Sequence, residues 1–150
     1  MSRLRLCTGL ALAGLLAACS SVPYAQRQQQ RRAAYEAAAG APVRSFRFFA
    51  PIWSWEPLGE TELAVYTRPN QAWLLDLGGC QQLEFANAIG LTSNLGEVSI
   101  NFDKVLTGRG NVPCTISRIR PVDVAKLKIE QAKQREVDSE PRAAPATGAQ

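Results

Sequence analysis

Leu63-Ala64-Val65-Tyr66-Thr67, the link Arg68-Pro69-Asn70, and then Ala72-Trp73-Leu74-Leu75-Asp76-Leu77 make up the stretch that decides the fold class. Residues 63, 65 and 67 lie on one side of an extended chain and 64 and 66 on the other. β-Branched and aromatic side chains suit such a pleated surface, and the Pro-Asn pair turns the chain back on itself. The stretch therefore predicts two antiparallel strands. Upstream, Phe46 and Phe48 alternate with Arg47. Trp53 and Trp55 share one face of an extended piece bounded by Pro51 and Pro57, and Leu58-Gly59-Glu60 reads as a turn. Together these pieces form a β-meander, which Gly78-Gly79 ends before a short helix expected within Gln81–Ala88.

Downstream, Glu97–Asp103 reads as one half-buried strand, with Val98, Ile100 and Phe102 on one face and Ser99, Asn101 and Asp103 on the other. Gly108-Arg109-Gly110-Asn111 reads as a loop tip from which Cys114–Ile119 returns antiparallel. After Pro121, Asp123 is placed to cap a helix carrying Val124, Leu127 and Ile129. The expected fold is mainly β, with α+β as the near alternative. It is a small antiparallel sheet or partly closed barrel of about five to six strands, with a short helix, one disulfide and a C-terminal helix. Such an order is similar to that of oligonucleotide- or oligosaccharide-binding barrels, an analogy that implies no ligand.

The N-terminus carries an address. Arg3 and Arg5 precede an apolar run from Leu6 to Ala18, too short to span a bilayer, that ends Leu16-Ala17-Ala18-Cys19. Cleavage before Cys19 by an ordinary secretory peptidase would need a small residue where Leu16 stands. The pattern instead resembles a bacterial lipoprotein signal. That resemblance implies a diacylglyceryl group on Cys19, cleavage after Ala18 and acylation of the new amino group. Several acyl chains, at about 0.8 kcal/mol per buried methylene, make such an anchor permanent. Ser20 in place of Asp resembles the outer-membrane sorting pattern, which implies a lipoprotein facing the periplasm. The expected divisions are a signal peptide over 1–18, a lipid-anchored tether over 19–42 and a globular β-rich domain over 43–123. A helix over 124–136 and a disordered tail over 137–150 follow. The tether's Ala, Gln, Arg and Glu favour a helix, but no continuous apolar face is visible, so that helix is expected to be solvated. Arg27, Arg31 and Arg32 read either as a solubilising cluster or as a contact for anionic lipid.

The 150 residues hold 17 basic and 13 acidic side chains and no histidine. Removing 1–18 takes Arg3 and Arg5, leaving 15 against 13, a balance without the basic stripe that nucleic-acid binding requires. Of the cysteines, Cys7 lies in the signal and Cys19 is the lipid site, so Cys80 and Cys114 remain to pair outside the cytoplasm. Reactive dithiols usually sit two residues apart, and two cysteines without histidine do not complete a common zinc site. The pair reads as a structural disulfide.

No metal ligand set, cofactor motif or catalytic constellation is expected. Lack of histidine removes the commonest general base, and the disulfide removes the thiols. Glu56, Glu60 and Glu62 near one turn, with Asp76 and Asp103 on expected strands, leave a paired-carboxylate hydrolase as the rival reading. The alternative class is a binding or structural module. Trp53, Trp55, Tyr66 and Trp73 are the candidate contacts, either as core or as an outward stacking platform, with Arg68 and Arg47 nearby for an anionic partner. Such a module would meet an envelope protein or a cell-wall glycan. An inhibitor-like secreted module is a close relative of that reading, and a purely structural envelope component is a third.

Ser54-Trp55, Arg68-Pro69-Asn70 followed by Ala72-Trp73-Leu74-Leu75, Gly79-Cys80, Phe85-Ala86-Asn87-Ala88-Ile89-Gly90-Leu91-Thr92-Ser93, Phe102-Asp103-Lys104-Val105 and Cys114-Thr115-Ile116 together resemble an uncharacterised proteobacterial family of short exported proteins. Its members are described by a conserved domain of unknown function and carry two cysteines in the mature domain. The resemblance spans residues 43–123 and implies no activity and no catalytic residue.

Overall fold

The computed structural model describes residues 23–49, 51–108 and 110–139, with side chains as far as residue 135. The signal, Cys19, Arg109 and most of the expected tail lie outside the described residues. No helix among the described residues is long and apolar enough to cross a membrane.

The hairpin that sets the fold class forms as β3 (Glu62–Arg68) and β4 (Gln71–Gly78), with Val65 opposite Trp73 and Glu62 opposite Asp76. β2 (Ser54–Pro57) pairs with the outer side of β3, and β8 (Cys114–Val122) with the far side of β4. β7 (Lys104–Leu106) and the two-residue β5 (Gly90–Leu91) complete an antiparallel sheet of order β2-β3-β4-β8-β7-β5, curled into a half-barrel. A separate ribbon of β1 (Ser45–Arg47) and β6 (Glu97–Ser99) pairs Phe46 with Val98. Helices α1 (Tyr24–Ala38) and α2 (Val124–Ser139) lie antiparallel, and Gln134 Nε2 donates to the Gln30 carbonyl at 2.6 Å.

Both faces of the sheet are buried. Inside the curl, Leu63, Val65, Leu75, Leu77, Ile116 and Ile119 pack with Val105, Leu83 and the Phe46 and Val98 pair of the ribbon. On the other face, Ala64, Ala72, Leu74 and Val122 pack against Ala34, Tyr35 and Ala38 of α1 and Leu127 of α2. A register shift opposite Asp76 and Leu77 leaves Ser117 outside the pairing. Such a bulge adds one residue, so Ile116 and Ile119 both reach the curl while Arg118 and Arg120 pair across from Asp76 and Leu74. Cys80, just past β4, is bonded to Cys114 at the start of β8, as expected, with Cα atoms 5.2 Å apart. Asp123 Oδ1 accepts from the Lys126 N–H at 3.0 Å and caps α2.

Five expectations are corrected. The segment expected as a solvated tether contains a folded helix that buries one stripe of its second half. Its stripe of Ala34, Tyr35 and Ala38 escapes an apolar-face search because alanine carries little hydrophobic signal, yet against Ala64 and Ala72 it allows close approach. Glu97–Asp103 is not one strand. Asn101 adopts φ 63°, and buried Asp103 turns inward, where its carboxylate accepts from the Ser99 N–H and the Thr92 hydroxyl, both at 2.8 Å. Phe102, expected inside, is exposed. The short helix in 81–88 is a single 3-10 turn, Leu83–Phe85, which ends where Ala86 becomes extended. Pro121 lies within β8 rather than after it: it has no N–H to give, and its carbonyl accepts from Gly40 at 2.8 Å. Finally, α2 runs to Ser139, past Val137 where the tail was expected to begin.

Candidate partner-binding surface

The tryptophans and Tyr66 do not form one platform. Residues 63, 65 and 67 face the curl, so Trp55 and Trp73, opposite Val65, point there too. Trp73 stacks on Phe46 with ring centroids 4.8 Å apart, and Trp55 packs at the edge of the same cluster. Tyr66 lies on the helix face, where its hydroxyl is 2.8 Å from that of Tyr35, which in turn donates to Glu56 Oε2 at 2.6 Å. Burial raises the pKa of both phenols, with the Glu56 carboxylate adding to the shift of Tyr35. Trp53 is the exception. It sits one residue before the Ser54–Tyr66 pair and is 67% exposed.

A different apolar surface projects around Leu95 and Phe49. Asn94-Leu95-Gly96-Glu97 is a tight turn in which Asn94 and Glu97 exchange both backbone hydrogen bonds, each 3.0 Å. Its two central residues have φ of 51° and 75°, the signature of a type I′ turn. Glycine meets that demand freely at position 96, where a Cβ would come within 2.6 Å of the Phe48 carbonyl. Leucine at 95 does not. A left-handed backbone costs an ordinary L-residue about 1–2 kcal/mol, and this leucine is 94% exposed, with no burial to offset the cost.

The turn is docked on the next segment through Phe48 N–H, which donates to the Gly96 carbonyl at 2.9 Å. Phe49 is thereby held beside it, 84% exposed. Clefts of about 430 and 220 Å³ flank these phenylalanines. The larger is lined by Pro51, Ser93 and Leu95, the smaller by Arg47, Thr67, Arg68 and Gln71. Arg47 binds Glu97 at 2.9 Å across the ribbon and keeps most of its side chain in solvent, while Arg68 is exposed. The surface is therefore an apolar tip (Phe49 and Leu95) next to two guanidinium groups.

A family model described as Family of unknown function (DUF6491) matches residues 2–138. The chain belongs to this family. No curated protein and no solved structure matches it. In this DUF6491 chain, sequence reading singled out Trp53 and Arg68 as candidate contacts and did not single out Phe49 and Leu95. The available signal was Leu95-Gly96 itself, a hairpin dipeptide with an apolar residue where Asn, Asp or Gly belongs.

Of the carboxylates that a hydrolase would use, Glu60 is exposed, and Glu56, Glu62, Asp76 and Asp103 have other partners here. Arg120 lies between α1 and the sheet, donating to Glu36 Oε1 and Oε2 at 3.0 and 2.5 Å and to Asp76 at 3.1 Å. Its Nη2 is 3.7 Å from Glu62, which also pairs with Arg32. Arg118 holds the other Asp76 oxygen at 2.6 Å. Arg31 holds Glu56 at 3.2 Å, and Asp103 braces its turn. Hydrogen bonds from Arg120 lower the Glu36 pKa to about 2, whereas burial and the adjacent Glu36 carboxylate raise that of Glu62. One carboxyl pushed up and a neighbour pushed down can mark an acid and a base. Here Glu36 lies on α1 and is partly exposed, Arg120 binds it, and Glu62 is 4% exposed beside the same arginine.

Proposed function

We propose that the protein is a non-catalytic lipoprotein of the cell envelope, anchored through Cys19 in the outer membrane and facing the periplasm, whose β domain binds another envelope protein through the Phe49–Leu95 tip. The observation that carries this reading is Leu95, a fully displayed apolar side chain held at a cost in backbone energy by a turn that itself needs no leucine. Exposed, pre-organised apolar groups beside cations suit a partner that offers an apolar side chain next to carboxylates. The Cys80–Cys114 disulfide supports an oxidising compartment, and the lipoprotein-like Leu16–Cys19 segment supports the anchor.

The ends of the molecule support the same reading. Arg32 pairs with Glu62 at one end of β3, whereas Ala39 bridges Val122 and Tyr35 meets Tyr66 toward the other, where Arg68 and the tip lie. Helix α1 thus runs toward the tip, and its beginning at Tyr24 faces away. An anchor ahead of Tyr24 would leave the tip pointing from the membrane.

Replacing Leu95 by asparagine separates display from folding. Leu95→Asn should raise stability by about 1 kcal/mol, because Asn tolerates the left-handed region. It should also abolish capture of the partner by a photo-crosslinking residue at position 49 in intact cells. A crosslinker at exposed Ile129 on α2 is the control. A discrete protein adduct from position 49 but not 129, lost on Leu95→Asn, supports the reading. Equal adducts from both positions, or adducts to lipid only, would overturn it.

A further inference from the structure

The ends of α1 and α2 remote from the tip carry a second feature. Between them is a cleft of about 270 Å³, lined by Arg27, Gln30, Arg31, Gln131, Gln134 and Arg135. Arg27 and Arg31 are four residues apart and so share a helix face, and Arg135 closes the cleft from α2. Arg31 is directed by Glu56 at 3.2 Å. Arg27 and Arg135 are exposed and have no acidic partner among the described side chains. Tyr24, also exposed, stands at the head of α1, an amphipathic ring of the kind enriched at the boundary of a bilayer.

The chain ahead of this cleft argues for what fills it. Cys19 is five residues before Tyr24, so even a fully extended link reaches only about 18 Å, and Arg27 lies about 5 Å further along the helix. An acyl group on Cys19 would hold the guanidinium groups within reach of phospholipid phosphates. We propose that this helix-end cleft is a membrane contact that takes the headgroups of anionic phospholipids. The proposal rests on the membrane-anchored reading for its geometry, and it makes the molecule two-ended: guanidinium groups on the lipid surface, apolar tip away from it.

The test uses the full chain carrying Cys19→Ala, which bears no acyl group at that position, and vesicles of phosphatidylcholine with or without phosphatidylglycerol. The readout is the ratio of partitioning between the two, which cancels any apolar attachment common to both. The ratio should exceed one and fall about fivefold for each of Arg27→Gln and Arg135→Gln. It should stay unchanged for Lys104→Gln, an exposed lysine on β7. An equal ratio in all four chains would overturn the proposal. Loss of the preference in millimolar glycerol phosphate, with no effect of sodium chloride at equal ionic strength, would reassign the cleft to a free phosphate ester. Intact mass of the wild-type protein from membranes separates the two readings. Acyl groups without an anionic preference would leave the anchor and remove the cleft. A preference without acyl groups would do the reverse.

Discussion

The two faces of the central sheet are held by different physics. Inside the curl, Leu63, Val65, Leu75, Leu77, Ile116 and Ile119 form a dry aliphatic cluster, closed at one end by the disulfide and roofed by the ribbon. On the helix face alanines at 64 and 72 stand beside Leu74 and Val122, and the helix is also held by Arg120 reaching Glu36 and Asp76, by Arg32 on Glu62 and by Arg31 on Glu56. Aliphatic burial is tolerant of pH and of salt. Buried ion pairs are not tolerant of pH, because each partner is acceptable only while the other is charged and in place. The difference teaches that the curl supplies stability, while the helix face fixes where α1 sits and in which direction its end points.

The sharpest way to break this contrast is Arg120→Ala, which leaves Glu36, Asp76 and Glu62 around an uncompensated space. It should cost about 3–5 kcal/mol in urea unfolding at neutral pH. Addition of Glu62→Leu should recover part of the loss, since it removes a buried acid that only Arg32 still faces. A full loss unaltered by the second change would mean that Arg120 acts by packing alone. On the other face, Cys80→Ser with Cys114→Ser should cost about 3–4 kcal/mol in the chain-entropy model for a loop closed by residues 34 apart. Because the loss arises in the unfolded chain, it should be nearly constant between pH 4 and pH 8.

The smallest effect carries the sign of the contrast. Glu36 has its folded pKa lowered to about 2, so its contribution is complete above the ordinary carboxylate value and is lost as pH falls toward 2. Glu36→Gln should therefore destabilise by about 1–2 kcal/mol at pH 7, discounted for the 40% exposure of that side chain, with the gap to wild type closing in acid. Glu62 runs the other way. Its folded pKa is raised, so its ionisation opposes folding as pH climbs, and Glu62→Gln should improve in relative stability from pH 4 to pH 8. Parallel pH profiles for the two variants would break the assignment.

What was legible in the sequence follows the same division. Alternation in Leu63–Thr67, the Pro69-Asn70 turn, the cysteine pair and the Asp123 cap are local signals, and each forms its element. The curl could be read because its residues are large and aliphatic. The helix face could not, because alanines at 34, 38, 64 and 72 look neutral and an arginine at 120 looks like surface until Glu36, distant in sequence, is known to meet it. Glu97–Asp103 misled for a related reason: its alternation was genuine, but Asp103 gains more by capping its own turn than by continuing a strand. Beside the tip, Arg68 was visible as a residue type. Leu95 became informative only once its backbone was known to be left-handed.

The place of β8 in the sheet has one more consequence. It is the last strand among the described residues, yet it lies between β4 and β7 and bridges Ala39 and Val43 from the early part of the chain. Until residues 114–122 exist and are free to pair, the meander has an open edge, Glu36 of α1 has no Arg120 to bind, and Cys80 has no partner. A chain so ordered stays unfinished while it is being made. Any machinery that must thread it as an open strand, from one compartment to another, is given the time to do so.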